Sequence, residues 1–298
     1  IFDFLMPGFL YTYQKFREEI ETPIVVNKDE NKMERLQRMI RPFILRRLKG
    51  DVLKDLPEKL EENVYAKMEG EQLALYDAHV QQMKQMLDGK SEAEFKSNKI
   101  QILAELTKLR QLCCDPALVY ENYEGGSAKL DLCIELIQSA VESGHKILLF
   151  SQFTSMIEIL TARLQEESIS CFVLQGSTKK EQRAQMVEQF NRDDTSVFCI
   201  SLKAGGTGLN LTGADIVIHY DPWWNVAVEN QATDRAHRIG QKNVVTVYKL
   251  IAKGTIEEKI IKFQQMKKEL AEEILSGDEI KTASFQREEL LELLEERF

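Results

Sequence analysis

An α/β fold, a parallel sheet covered on both faces by helices, is what this 298-residue sequence predicts, and three observations predict it. Short apolar runs recur at "KILLFS" (Lys146 to Ser151), "CFVLQ" (Cys171 to Gln175), "SVFCIS" (Ser196 to Ser201), "IVIHY" (Ile216 to Tyr220) and "VVTVYKL" (Val244 to Leu250). They are hydrophobic throughout rather than alternating, as strands buried from both sides are. Amphipathic segments of helix length separate most of them, which is what crossovers between parallel strands require. Ahead of the first run, from Phe2 to about Glu124, the patterning is helical.

Taken in order, residues 1–124 predict a helical region whose clearest element is "NKIQILAELTKLRQLCC", with Ile100, Leu103, Leu106, Leu109 and Leu112 at steps of three forming an apolar stripe. The glycines and serine of "YENYEGGSAK" (Tyr120 to Lys129) mark a boundary. Residues 125–254 then hold the five strands. Thr178 with Glu181, ahead of "KKEQRAQMVEQF", and Thr255 with Glu258, ahead of "IIKFQQMKKELAEEIL", have capping-box spacing and predict helix starts. The second opens a helical extension over residues 255–298.

Composition bounds the function. Hydrophobic content of 43% supports a large core, and no apolar run approaches the roughly 18 residues of a membrane span, so no membrane partner is expected. Neither a signal nor a transit peptide is read. Cys113, Cys114, Cys133, Cys171 and Cys199 are odd in number and sit mostly in apolar stretches, as reduced, buried thiols do. Only Cys113 and Cys114 are close in sequence, and adjacent residues lack the spacing for a zinc site. A formal charge of −9 describes only the sum; "MIRPFILRRLKGDVLK" (Met39 to Lys54) concentrates Arg41, Arg46, Arg47, Lys49 and Lys54, a basic stripe open to phosphate or to solvent alike.

In open α/β sheets ligands collect beyond the carboxyl ends of the strands. There the sequence places "SQFT" (Ser151 to Thr154), "QGST" (Gln175 to Thr178), the glycine-rich "LKAGGTGLN" (Leu202 to Asn210) and "DPWWNVAVENQATDRAHR" (Asp221 to Arg238). Hydroxyls, backbone amides, an aromatic pair and two guanidinium groups thus share one edge. Arg235 and Arg238, three apart on a helix, would share a face and reach one polyanionic ligand. A dinucleotide fingerprint fails, because Leu211 stands where its third glycine belongs, and "GKS" at Gly89 to Ser91 lacks the earlier glycine of a P-loop. No strand ends in an acidic pair suited to magnesium.

The run from Val197 to Gln241 closely resembles the second RecA-like lobe of Swi/Snf-type DNA-translocating ATPases of helicase superfamily two. "KILLFSQFT" resembles the family's motif IV, "VLQGST" its next motif, "SLKAGGTGLNLTGAD" motif V and "QATDRAHRIGQ" motif VI. "IRPFILRRLKGDVLKDLPEK" and "LTKLRQLCCDP" resemble the helical protrusion and linker of these motors, so the likeness spans the chain. "IFDFLMPGFL" resembles the segment after the family's first lobe, which implies that the ATP-gripping P-loop lies upstream. The family's common Cys-His-Pro is Cys-Asp-Pro at Cys114, Asp115 and Pro116, and no histone-binding module follows the last helix. These departures lean towards a bacterial, cytoplasmic, nucleoid-associated member; a eukaryotic one would be nuclear.

The resemblance implies a RecA-like parallel sheet with an N-terminal helical protrusion and a C-terminal helical extension, forming the C-terminal half of an ATP-dependent double-stranded DNA translocase. It implies Arg235 and Arg238 as catalytic arginine fingers, and Gly206, Gly208, Asn210, Gln231 and Asp234 on the ATP side. Gln152, Thr154, Gln175, Gly176, Ser177, Lys203, Gly205, Trp224 and Asn225 would face the DNA backbone. Arg46 and Arg47 would touch DNA or anchor the protrusion. ATP and magnesium would be bound mainly by the first lobe of the same protein, the isolated chain would not hydrolyse ATP, and a protein–DNA complex is a possible substrate. The rival reading is a non-enzymatic protein-interaction module using the stripe of Leu290, Leu291, Leu294 and Phe298.

Overall fold

The computed structural model describes residues 2–25, 29–43, 56–87, 98–202, 204 and 208–265. The chain divides into two compact units, one comprising residues 1–52 and 262–289, the other residues 53–261 and 290–298. In the first unit, short helical turns Phe2–Leu5, Tyr13–Phe16 and Thr22–Val25 precede helix α1 (Glu30–Ile40). Asp29 starts that helix: its side chain accepts the Lys32 N–H at 3.1 Å, satisfying one of the amides a helix leaves unbonded at its start. Ile20, Ile24, Met33 and Leu36 form the small core of this unit.

Among the described residues, the second unit is built on six strands. In chain order it runs β1 (Lys59–Ala66), α2 (Gly70–Leu87), α3 (Lys99–Cys114), α4 (Ala128–Glu142), β2 (Ile147–Ser151), α5 (Thr154–Glu166), β3 (Cys171–Leu174), α6 (Lys180–Arg192), β4 (Val197–Ser201), β5 (Ile216–His219), α7 (Val226–Thr233) and β6 (Val245–Ala252). A helix α8 begins at residue 256 and is described to residue 265, this segment of the unit itself ending at Ile261. The sheet order is β1-β6-β5-β2-β4-β3 and every pairing is parallel. β2 lies inside it, with Leu149 aligned to Ile218 on one side and Cys199 on the other.

Strand alternation sorts the core into two layers. Ile147, Leu149, Ile216 and Ile218 pack with Ile134, Ile137, Ile157 and Leu160 of α4 and α5. Leu148, Phe150, Val217, Val245 and Val247 pack with Phe190, Ala232 and Ala236 on the opposite face. Both faces being covered explains why these strands read as continuous apolar runs. A third cluster gathers Met83, Leu87, Ile102, Leu106 and Leu109 of α2 and α3 with Ile256 and Ile260 of α8. Among the described residues no helix is long and apolar enough to cross a membrane.

Three local expectations are corrected. β1 is a strand inside the stretch read as helical; it is an edge strand whose middle residues Leu60 to Asn63 are exposed, so charge and polarity hide its pattern. The apolar stripe of α3 drifts: steps of three turn about 300° rather than a full circle, so Leu106, Leu109 and Leu112 are buried while Ile100 is 85% exposed and Leu103 52%. The Thr178 hydroxyl accepts the Gln175 N–H at 3.1 Å, closing a turn before α6 instead of capping it. Thr255 does cap α8, its Oγ1 accepting the Glu257 N–H at 3.2 Å.

Candidate functional site

The carboxyl ends of β2, β4 and β5 meet in mid-sheet, beside the point where the chain changes direction across the sheet, the place where such folds bind ligands. After β2, the Ser151 hydroxyl donates to Asp221 Oδ1 at 2.6 Å, the Gln152 N–H donates to the same oxygen at 3.2 Å, and the Gln152 side-chain amide donates to Asp221 Oδ2. Asp221 is 5% exposed, so a buried carboxylate bolts the loop after β2 to the loop after β5. Thr154 is exposed at the start of α5. The expected DNA residue Gln152 therefore has its amide engaged within the protein.

After edge strand β3, Gln175 and Thr178 close a turn through Gln175 N–H to Thr178 Oγ1 and Thr178 N–H to Gln175 C=O, both 3.1 Å. Gly176 and Ser177 are exposed at its tip, and a Cβ on Gly176 would meet nothing within 4 Å. This loop stands beyond β4, on the far side from β5.

After β4, Lys203, Gly205 and Gly206 lie outside the described residues, as do Arg46, Arg47, "GKS" at Gly89 to Ser91, and Leu290, Leu291, Leu294 and Phe298. What is described around them is firmly held. Ala204 N–H donates to Ser201 Oγ at 3.3 Å, and Arg183 Nη1 of α6 donates to the Ala204 carbonyl at 3.3 Å. Gly208 has φ +54°, left-handed backbone that favours glycine. Asn210 is exposed, and its carbonyl accepts from Asn191 Nδ2 at 2.8 Å.

Beyond β5, Asn225 caps α7, its side chain accepting the Ala227 N–H at 3.0 Å, and Trp223 N–H donates to Glu229 Oε1 at 2.7 Å. Trp224 is half-buried against the α2–α3 cluster. Arg110 of α3 reaches this loop: Nη2 donates to the Pro222 carbonyl at 2.8 Å, and the guanidinium lies 5.8, 6.0 and 5.6 Å from the ring centres of Phe153, Trp223 and Trp224.

Helix α7 carries Gln231, which is exposed, and ends at Thr233 with Asp234 as its C-cap. Arg235 and Arg238 are therefore not on a helix face, as expected, but in the turn after it. The turn is locked to the glycine segment: Leu211 N–H donates to the Arg235 carbonyl at 2.9 Å, and Arg238 Nη1 donates to the Leu209 carbonyl at 2.9 Å. Arg235 is 6% exposed. Burial, and then the nearby Arg238 charge, pull its pKa below the ordinary arginine value, with Asp234 opposing. The two guanidinium groups thus share one locality without sharing a helix. Contrary to expectation, their turn is not at the carboxyl edge: His237 Nε2 meets the Pro57 carbonyl ahead of β1 at 2.7 Å, and Gln241 Nε2 donates to the Ala214 carbonyl ahead of β5 at 2.7 Å, so the turn after α7 contacts the amino ends of the strands. A guanidinium has five N–H donors, so the bond to Leu209 leaves Arg238 others to offer a phosphate. This donor set suits an anion; among the described residues no three His, Cys, Asp or Glu side chains converge to hold a metal.

Sequence reasoning missed Asp221, Arg110, Arg183 and Gln241. Gln241 stood in the quoted arginine stretch and Asp221 directly after a strand, and both signals were readable. For Arg110 and Arg183 no local signal existed.

The model for the helicase conserved C-terminal domain matches residues 128–240, and that for the SNF2-related domain matches residues 1–118. A protein named as an uncharacterised ATP-dependent helicase of Mycoplasma pneumoniae is 40% identical over 99% of this chain and 28% of its own length. The chain spans 28% to 31% of the length of the first curated relatives it matches. Among solved structures, the Sulfolobus solfataricus SWI2/SNF2 ATPase C-terminal domain is similar at TM-score 0.63 and 33% identity, over 80% of this chain and 99% of that one. The SWI2/SNF2 ATPase core from the same organism, in complex with double-stranded DNA, is similar at TM-score 0.62 and 37% identity, over 93% of this chain and 59% of that one.

Proposed function

The chain belongs to the Swi2/Snf2 family of ATPases, and from that premise we propose that it is the second lobe of an ATP-dependent translocase on double-stranded DNA. In this reading residues 1–124 serve as protrusion and linker, 125–254 as the RecA-like lobe and 255–298 as bracing helices, with β1 reaching from the first segment into the sheet. A first lobe of the same protein holds ATP and magnesium. The bound nucleotide supplies the phosphoryl group to be transferred. Arg235 and Arg238 turn to that group and offset the charge that develops on it, while Gly208, Asn210, Gln231 and Asp234 line the nucleotide side, with Gly206 beside them. Thr154, Gln175, Gly176, Ser177, Trp224 and Asn225, together with Gln152, Lys203 and Gly205, follow the DNA backbone without reading sequence. Solution of a relative's core with double-stranded DNA supports the choice of polymer.

The observation that carries the reading is the lock between the arginine turn and the glycine segment, through Leu211 to Arg235 and Arg238 to Leu209. The lock fixes the turn that carries both arginines against the segment between β4 and β5, which supports their acting together on one anion. The test is DNA-stimulated ATP turnover by the two-lobed protein. Arg235→Ala and Arg238→Ala should each lower kcat by about 10³-fold or more, while KM for ATP and duplex affinity move far less. Lysine should restore little, lacking the planar fork. Arg238→Ala should also lose about 1 kcal/mol of stability with its hydrogen bond. Full turnover in either variant, or turnover lost only in step with folding, would remove that arginine from the active site.

A further inference from the structure

Arg110 belongs to α3, ahead of the central strands, yet it is 6% exposed and its described partners all belong to the ligand edge. They are the Pro222 carbonyl and the rings of Phe153, Trp223 and Trp224. Phe153 follows Gln152 in the loop after β2, and the tryptophans lead into Asn225 after β5. Keeping a cation there costs desolvation that an apolar side chain would avoid. What a guanidinium adds is direction, since one flat group fixes a carbonyl and ring planes together. Asp221 already ties the two loops to each other, and Arg110 adds the tie to α3.

We propose that Arg110 is a positioning residue for duplex DNA, setting the aromatic loop so that Trp224, Asn225 and Thr154 present one edge to the phosphate backbone. The inference rests on the DNA-facing reading of that edge and assigns Arg110 no part in phosphoryl transfer. The only tryptophans in the sequence are Trp223 and Trp224, so indole fluorescence of the chain reports this loop. In Arg110→Gln and Arg110→Lys, acrylamide quenching should rise about twofold and affinity for a random-sequence duplex fall about tenfold, the scale of a lost desolvated cation–π contact. The variants should lose some melting temperature with the Pro222 hydrogen bond; a merely structural role would stop there and leave the folded fraction's DNA affinity unchanged. Should the arginine variants not fold, Phe153→Leu removes one ring from the guanidinium, keeps an apolar side chain, and should give the same two changes. Unchanged quenching, raised quenching with parental affinity, or parental affinity in Arg110→Lys overturns the inference and leaves the ATPase reading standing. A parent chain that binds no duplex overturns both.

Discussion

Gln241 spends its whole side chain on the arginine turn. Its Nε2 donates to the carbonyls of Thr212, Ala214 and Ala236 at 3.3, 2.7 and 3.2 Å, and its Oε1 accepts the N–H groups of Lys242 and Asn243 at 2.8 and 2.9 Å. An unsatisfied buried polar group costs about 1–3 kcal/mol, so Gln241→Leu should destabilise the chain by about 3 kcal/mol or more in a urea titration. Gln241→Glu should do no better, because it aims a carboxylate at carbonyl oxygens. His219 is likewise committed, stacked 5.5 Å from Phe150 and hydrogen-bonded through Nε2 to Thr233 Oγ1 at 2.9 Å. Burial, and then the Lys249 charge, draw its pKa from 6.5 down to about 3. Between those values the unfolded chain binds a proton that the folded chain refuses, so stability falls as pH drops from 6.5 towards 3 and is untouched by this group above that window. His219→Gln should flatten the fall in urea midpoint between about pH 7 and 4; a parental slope would assign the acid sensitivity to other groups.

Strand β1 tests how an edge is held. Glu61 meets Lys59 at 2.5 Å and Lys249 of β6 at 3.2 Å, with 38% of its side chain exposed. Burial pushes its carboxyl up, yet the two lysines outweigh it and bring the pKa down to about 2. Whatever the pairs contribute is present above the ordinary carboxylate range and lost as pH falls towards that value. Solvent screens such pairs, so Glu61→Gln should cost no more than about 1 kcal/mol. Val64→Asp should cost several times more, since Val64 packs against the core layer of α4 and α5. The five runs were legible because a sheet covered on both faces keeps them mostly apolar, edge strand β3 included, and their ends fell within two residues of those expected. β1 was not, because an exposed edge carries the charges of any surface. The ligand edge was legible as a list of loops, but its bolts were not: Arg110 meets Pro222 across 112 residues of sequence, and Ser151 meets Asp221 across 70. Such pairings depend on the strand order, which no local pattern spells out.

For the molecule as a whole, the proposed division of labour makes the chain alone a binder without turnover. It should hydrolyse no ATP, with or without duplex, and should bind unrelated duplexes alike with an affinity that falls steeply with added salt, as counterion release requires. Turnover at the rate of a complete motor would sink the half-motor reading, and sequence preference or indifference to salt the backbone-tracking one. The pairing of β1 with β6 also fixes an order of events during synthesis. Lys59 to Ala66 align with Val245 to Ala252, the first strand with the last. At roughly 5–20 residues per second of translation, β1 waits on the order of ten to forty seconds for β6, its one strand neighbour among the described residues. During that interval Val64 and Ala66, destined for burial beside the sheet, have nothing to pair with. Closing the sheet is thus a late event on the ribosome, and a chain stopped before Val245 would release β1 as an unpaired edge open to other strands.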